Sequence, residues 1–300
     1  MKHLLTVGAL SRKEVLSLME RAAEIRQAPG RPVAALAGRT LGLLFEKPST
    51  RTRVSFEVAM HRLGGATTFM HSSTTQLGRG ETPADTARVL SRYLDALVIR
   101  TFSQALVEEM AGASSIPIIN GLTDEHHPCQ VLSDLTTVRQ FKGDLAGLKK
   151  YAWVGDGNNV ANSWIEAAGV LGLDLHLACP PGYEPQERFI AQARRAGGRV
   201  VVGNDPVEAV RGADVISTDV WASMGQEDQH QARLRIFARY QVNGALLAQA
   251  RPDCIVMHCL PAHRGEEITD EVVDGPRSVV LDQAENKMHL HQALLEHLMG

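Results

Sequence analysis

Residues 40–57 read TLGLLFEKPSTRTRVSFE. The first six are apolar apart from the opening threonine, which suits a strand buried on both faces. Lys47-Pro48-Ser49-Thr50 then ends the strand and opens a helix through RVSFEVAMHRLGG, where Ser49 and Thr50 are natural caps. A buried strand running straight into a helix is half of a parallel crossover unit. At that junction several backbone N–H groups and the positive end of the helix dipole point at one spot, so the segment reads as an anion site. Ser49, Thr50 and Thr52 add hydroxyls, and Arg51 adds a fork that fits phosphate bidentately. An ordinary Ser/Thr helix cap with two surface arginines is the competing interpretation.

The same alternation continues outward. ATTFMH, DALVIRT and SIPIIN read as strands, separated by helices through DTARVLSRYL and QALVEEMAG. Upstream, Ser11-x-x-Glu14 is a capping box opening an earlier helix. Downstream, a helix through HPCQVLSDLTTVRQF ends near Lys142, and the alternation restarts at YAWVGDG. LDLHLAC, RVVVG, ADVISTD, DCIVMHCLP and SVVLD are further strand candidates, and the chain closes on a helix through QALLEHLM. This pattern predicts an α/β fold of two lobes, each a mainly parallel sheet with helices on both faces, and a hinge near residue 140. The lobes are expected over residues 1–137 and 138–282, with a closing helix, 283–300, packing back on the first.

Composition narrows the classes. The short apolar N-terminal stretch is broken by Arg12, Lys13 and Glu14, so it makes no signal-peptide core, and no run approaches the roughly 18 apolar residues of a membrane helix. Four scattered cysteines in 300 residues suit a reducing compartment rather than a disulfide framework. A formal charge of -3 gives no reason to expect nucleic acid or an anionic membrane as partner. The expectation is a soluble, cytoplasmic protein of small-molecule chemistry with no cofactor and no metal.

In open α/β sheets ligands sit beyond the carboxyl ends of the strands, and the chemically rich segments all fall there. Arg100 closes DALVIR. His127-Pro128-Cys129-Gln130 follows SIPIIN and offers N–H donors that could meet a developing oxyanion. Gly155-Asp156-Gly157-Asn158-Asn159 superficially suggests a dinucleotide fingerprint, but Val160 stands at the third glycine position and no acidic ribose partner follows a strand at the expected distance. Asp219-Val220-Trp221-Ala222-Ser223-Met224-Gly225 follows DVIST, where a carboxylate can hold an ammonium. His258-Cys259-Leu260-Pro261-Ala262-His263 leaves three readings open: zinc ligation, a nucleophilic thiol, or a polar pocket for an amine. It contains no paired metal-ligand spacing.

The segment F45-E-K-P-S-T-R-T-R-V-S-F-E57, followed in order by H-P-C-Q, G-D-G-N-N, D-x-x-x-S-M-G and H-C-L-P, resembles the aspartate and ornithine carbamoyltransferases from about residue 40 to 290. The resemblance implies that the first lobe binds carbamoyl phosphate through Ser49, Thr50, Arg51, Thr52, Arg100, His127 and Gln130, with Arg53 structural. Cys259 and Leu260 are implied beside the same substrate. Gln76, in the loop SSTTQLGRGET, matches a glutamine that reaches a neighbouring subunit's site in a trimer, and Arg79 is a weaker match in the same loop. Asn159, Asp219, Ser223 and Met224 are implied as ornithine ligands. Asp219, Cys259, Arg100 and His127 are implied as the catalytic group, in an enzyme of arginine biosynthesis that makes citrulline. Glu285-Asn286-Lys287 matches the family's E-N-R, whose arginine reaches carbamoyl phosphate, so Lys287 is implied as a further ligand of that substrate; lysine keeps the charge and loses the fork. Sister enzymes acting on putrescine or an acylated ornithine, and a non-catalytic relative, are the alternatives.

Overall fold

The computed structural model describes residues 1–28, 34–222 and 229–300. These residues form two compact units, Met1–Thr136 with Glu285–Gly300, and Thr137–Ala284.

In the first unit, helix α1 (Arg12–Gln27) opens on the expected capping box of Ser11 and Glu14. Strands β1 (Thr40–Phe45), β2 (Ala66–His71), β3 (Ala96–Arg100) and β4 (Ile118–Leu122) form one sheet in the order β2-β1-β3-β4, every pairing parallel. Both central strands are buried almost throughout, as strands covered by helices on both faces must be. Helices α2 (Thr50–Arg62), α3 (Pro83–Leu90) and α4 (Gln104–Ala113) connect them, and α5 (Pro128–Lys142) leads out of the unit. Gly42 in β1 is needed for packing: a Cβ there would come within 2.5 Å of Leu94 and 2.8 Å of Leu97.

In the second unit, β5 (Tyr151–Val154), β6 (Asp174–Ala178), β7 (Arg199–Gly203), β8 (Val215–Thr218) and β9 (Ile255–His258) pair in parallel in the order β7-β6-β5-β8-β9. Helices α6 (Asn159–Leu171), α7 (Glu187–Arg195), α8 (Pro206–Val210), α9 (His230–Phe237), α10 (Gly244–Leu247) and α11 (Asp270–Val273) belong to it. Each sheet thus has a point where the strand order reverses, between β1 and β3 and between β5 and β8. Such switch points open a crevice at the strands' carboxyl ends.

One expected strand is absent. SVVLD forms no strand: only Ser278 makes a bridge, to Val256, and Val280–Met299 is one 20-residue helix, α12. Val280 is buried while Leu281 is 75% exposed, and the helix places those neighbours on different faces. The carboxyl half of α12 is fastened inside the first unit. His291 stacks on Phe56 of α2 with centroids 3.6 Å apart, and its Nδ1 lies 3.0 Å from Ser55 Oγ. Glu296 pairs with Arg21 of α1 through both carboxylate oxygens, at 2.6 and 3.2 Å.

Burial, aided by the Lys287 charge, holds the His291 ring well below its ordinary pKa of 6.5. The unfolded chain therefore takes up a proton below pH 6.5 that the folded chain refuses, and stability falls as pH falls. Replacing His291 with Gln should remove about 1.4 kcal/mol per pH unit from the slope of unfolding free energy below pH 6.5. Urea titrations at pH 7.0 and 5.5 would read this; an unchanged slope would exclude a buried neutral ring.

Candidate active site

Ser49 adopts extended backbone geometry, and its hydroxyl accepts from the backbone N–H of Thr52 at 3.3 Å, so it caps α2. The first turn of α2 contains no acidic residue, so no side-chain carboxylate there competes with a bound anion. Thr52 is buried, while Thr50 and Arg51 are exposed. Arg53 is committed elsewhere, since it bonds Glu57 at 2.9 Å and lies over the Phe69 ring at 3.9 Å. The structural role expected of it follows from those two contacts. Lys47 is likewise tied to Asp124 and sits over the Phe102 ring.

Across the switch point, Arg100 ends β3 and is buried, and Glu46 N donates to its carbonyl at 2.8 Å. His127 lies just before α5, almost fully enclosed. Burial, reinforced by the charges of Lys287, Arg100 and His291, keeps its ring well below the usual imidazole range. His127 is therefore neutral at pH 7, able to donate one N–H without carrying charge. Gln130, on the first turn of α5, accepts from Lys287 Nζ at 2.9 Å and donates from Nε2 to Asp134 Oδ1 at 2.8 Å. Arg100, His127, Gln130 and Lys287, named separately in the sequence, thus form one buried cationic cluster. Gln76 opens a 3-10 turn and has an exposed side chain.

In the second unit the carboxylate of Asp219, just after β8, is the centre. Its Oδ2 accepts from Asn158 Nδ2 at 2.8 Å, and its Oδ1 accepts from Cys259 Sγ at 3.0 Å and from Val220 N at 2.9 Å. Asn158 is the N-cap of α6, its Oδ1 accepting from Val160 N and Ala161 N. The sequence reading singled out Asn159; the structure adds Asn158 as the residue that reaches Asp219. Asn159 opens α6. Ser223 and Met224 lie outside the described residues.

Cys129 and Cys254 are buried with thiols pushed up to about 12, and burial raises Cys179 as well, whereas Cys259 is partly exposed. Its sulfur donates to Asp219, so the hydrogen bond requires the thiol, not a thiolate. This geometry favours a polar pocket over a nucleophile. Asp219, His258 and Cys259 donor atoms do lie within 4.8 Å of one another. Both His258 ring nitrogens are engaged, however: Nδ1 accepts from Leu260 N at 2.8 Å, and Nε2 pairs with buried Glu267 at 2.9 Å. His258 therefore offers no spare lone pair to a metal. Leu260 itself has φ +57°, a left-handed conformation costly for a leucine and held by that bond to His258.

Gly157 has a steric reason of its own. A Cβ there would fall 2.3 Å from Pro185 N and 2.5 Å from the Glu184 carbonyl carbon. The glycine lets the loop at 184–185 approach.

Residues 2–140 match the carbamoyl-P binding domain of aspartate/ornithine carbamoyltransferase, and residues 148–298 match its Asp/Orn binding domain. The latter match includes most of α12, although chain contacts assign Glu285–Gly300 to the first unit. The chain belongs to the aspartate/ornithine carbamoyltransferase family. Within it, the ornithine carbamoyltransferases of Desulfotalea psychrophila and Geobacter sulfurreducens are each 53% identical over 301 residues, covering 99% of both chains. The solved ornithine carbamoyltransferase from Pyrococcus furiosus superposes with a TM-score of 0.95 at 50% identity, over 100% of this chain and 97% of that one. The Thermus thermophilus structure of the same name gives 0.92 at 41% identity, covering 100% and 99%.

Replacing Asn158 with Ala should cost about 1 kcal/mol through the lost cap. Asn158→Asp keeps the cap but sets a second carboxylate against Asp219. Relative to the parent it should be more stable at pH 5 than at pH 7, a trend that thermal unfolding at the two pH values would reveal or refute.

Proposed function

We propose that this protein transfers the carbamoyl group of carbamoyl phosphate to the side-chain amine of L-ornithine, giving L-citrulline and phosphate. The observation that carries the amine half is the Asp219 carboxylate, gripped by Asn158 and Cys259 at the switch point of the second sheet. A fixed carboxylate beside a thiol suits an ammonium that must be held and then deprotonated. The whole-length likeness to proteins named ornithine carbamoyltransferase supports ornithine over putrescine or an acylated ornithine.

In this reading Ser49, Thr50, Arg51 and Thr52 cradle the phosphate, and Arg100, His127, Gln130 and Lys287 hold the carbamoyl end. Cys259 and Leu260 lie against the same substrate, while Asn159, Asp219, Ser223 and Met224 hold ornithine. An amine titrating near 10.4 costs roughly 4 to 5 kcal/mol to deprotonate at pH 7. Asp219 and Cys259 orient it and accept hydrogen bonding from its N–H groups, so that the neutral amine is presented to the carbonyl carbon. A C–N bond forms, and the carbonyl electrons move onto oxygen, where Arg100 and neutral His127 stabilise them. Collapse breaks the C–O bond to phosphate. The nitrogen has then lost two protons: the first passed to solvent when the ammonium was made neutral, and the second leaves on the phosphate that Arg51 holds. No covalent enzyme intermediate is required.

We further propose a cytoplasmic homotrimer serving arginine synthesis, in which Gln76, with Arg79 beside it, enters a neighbouring subunit's site.

Citrulline formation should be robust with ornithine and weak with putrescine, acetylornithine or aspartate, and Arg51→Ala should lower turnover by roughly two orders of magnitude or more. Equal use of putrescine would overturn the substrate assignment. Cys259→Ala should raise KM for ornithine more than KM for carbamoyl phosphate; steady-state kinetics with each substrate varied would decide it.

A further inference from the structure

The mechanism above makes no use of Asp134, yet this carboxylate is 1% exposed and stands one helical turn beyond Gln130. A buried carboxylate demands donors, and here one of them is the Gln130 amide, with Nε2 2.8 Å from Asp134 Oδ1. A carboxamide is nearly symmetric in shape, so its partners decide which way it faces. Asp134 Oδ1 is the acceptor in that bond, so it takes the NH2 end of the amide. The carbonyl end is thereby turned to Lys287, whose Nζ donates to it at 2.9 Å. Were the amide reversed, two donors would meet at Lys287 and two acceptors at Asp134.

We infer that Asp134 is a positioning residue for carbamoyl phosphate, acting through Gln130 to fix the ammonium of Lys287. The inference rests on the carbamoyl phosphate reading of this cluster. The chain Asp134, Gln130, Lys287 matters because position 287 is lysine. A guanidinium is a rigid planar fork whose donors keep a fixed geometry relative to one another, whereas an ammonium on a flexible four-carbon stem is a point charge that needs an acceptor to hold it. Gln130 supplies that acceptor, and Asp134 guarantees its polarity. His127 and Arg100 belong to the same buried surroundings, since the charges of Lys287 and Arg100 both act on the His127 ring. A displaced ammonium would therefore also disturb the field at the group that meets the carbonyl oxygen.

The test is a set of full-length variants assayed for citrulline with each substrate varied. Asp134→Ala should raise KM for carbamoyl phosphate roughly tenfold or more while leaving KM for ornithine within about twofold. In a Gln130→Ala background the same change should add almost nothing, because the link is already cut. In a Lys287→Arg background its effect should shrink to below roughly threefold, since the fork supplies its own geometry. A merely structural aspartate would give the same penalty in all three backgrounds, and that result overturns the inference. If Asp134→Ala does not fold, Asp134→Asn substitutes for it. A carboxamide can face Gln130 in either sense, so this variant should raise the same KM several-fold in the parent and negligibly in Gln130→Ala; equal effects in both would overturn the inference. Should Gln130→Ala and Lys287→Ala themselves leave KM for carbamoyl phosphate unchanged, the carbamoyl phosphate reading fails and takes the inference with it. If those two impair binding and Asp134→Ala does not, the positioning role alone falls.

Discussion

Burial of both faces of two parallel sheets is the constraint from which the rest follows. A strand such as Leu41–Phe45 or Tyr151–Val154, enclosed above and below, has no face left on which to place a polar group. Polar chemistry is displaced to the carboxyl ends, where the chain leaves the sheet and a helix begins. The reversal of strand order between β1 and β3, and again between β5 and β8, selects which of those ends adjoin a crevice. Ser49 through Thr52 and Arg100 flank the first reversal; Asn158 and Asp219 flank the second.

Electrostatics at the two ends are handled differently. In the first unit cations accumulate, and the histidine among them is kept neutral because burial and neighbouring charge both oppose its protonation. A dianionic ligand would find there fixed positive charge, without a further proton to be moved. In the second unit the carboxylate bonded to Cys259 already holds a carboxamide and a thiol, each a neutral donor. Neutral donors can be displaced by an ammonium at little cost, whereas a salt-bridged arginine in the same place would compete with it.

Much of this was legible because strand-end signals are local. An apolar run followed by Pro, Ser, Thr and Arg announces both a strand's end and an anion-binding helix start, and the five motifs fell at such ends. What escaped was non-local. Residues 278–282 are an apolar run too short for periodicity to tell strand from buried helix, and only the packing of α12 decides it. Of two adjacent asparagines, the sequence does not say which caps the helix, and the capping one is the one whose amide turns back to a residue 61 positions away. Gly157 imitates a dinucleotide turn because the demand for a missing side chain is the same whether cofactor or backbone approaches. Asp134 stood at helical i+4 spacing from Gln130, a readable pair, but its burial beneath α12's lysine was not.

Helix α12 carries both an anchor and a working group. His291 and Glu296 fasten it to α2 and α1, and on the same rod Lys287 reaches Gln130. The whole of Thr137–Ala284 separates these residues from the rest of the unit they belong to. The first unit is therefore complete only when two distant stretches of chain have met, and that meeting carries the loop-closure entropy of everything between them. A second unit that folds early shortens the effective loop and lowers that cost.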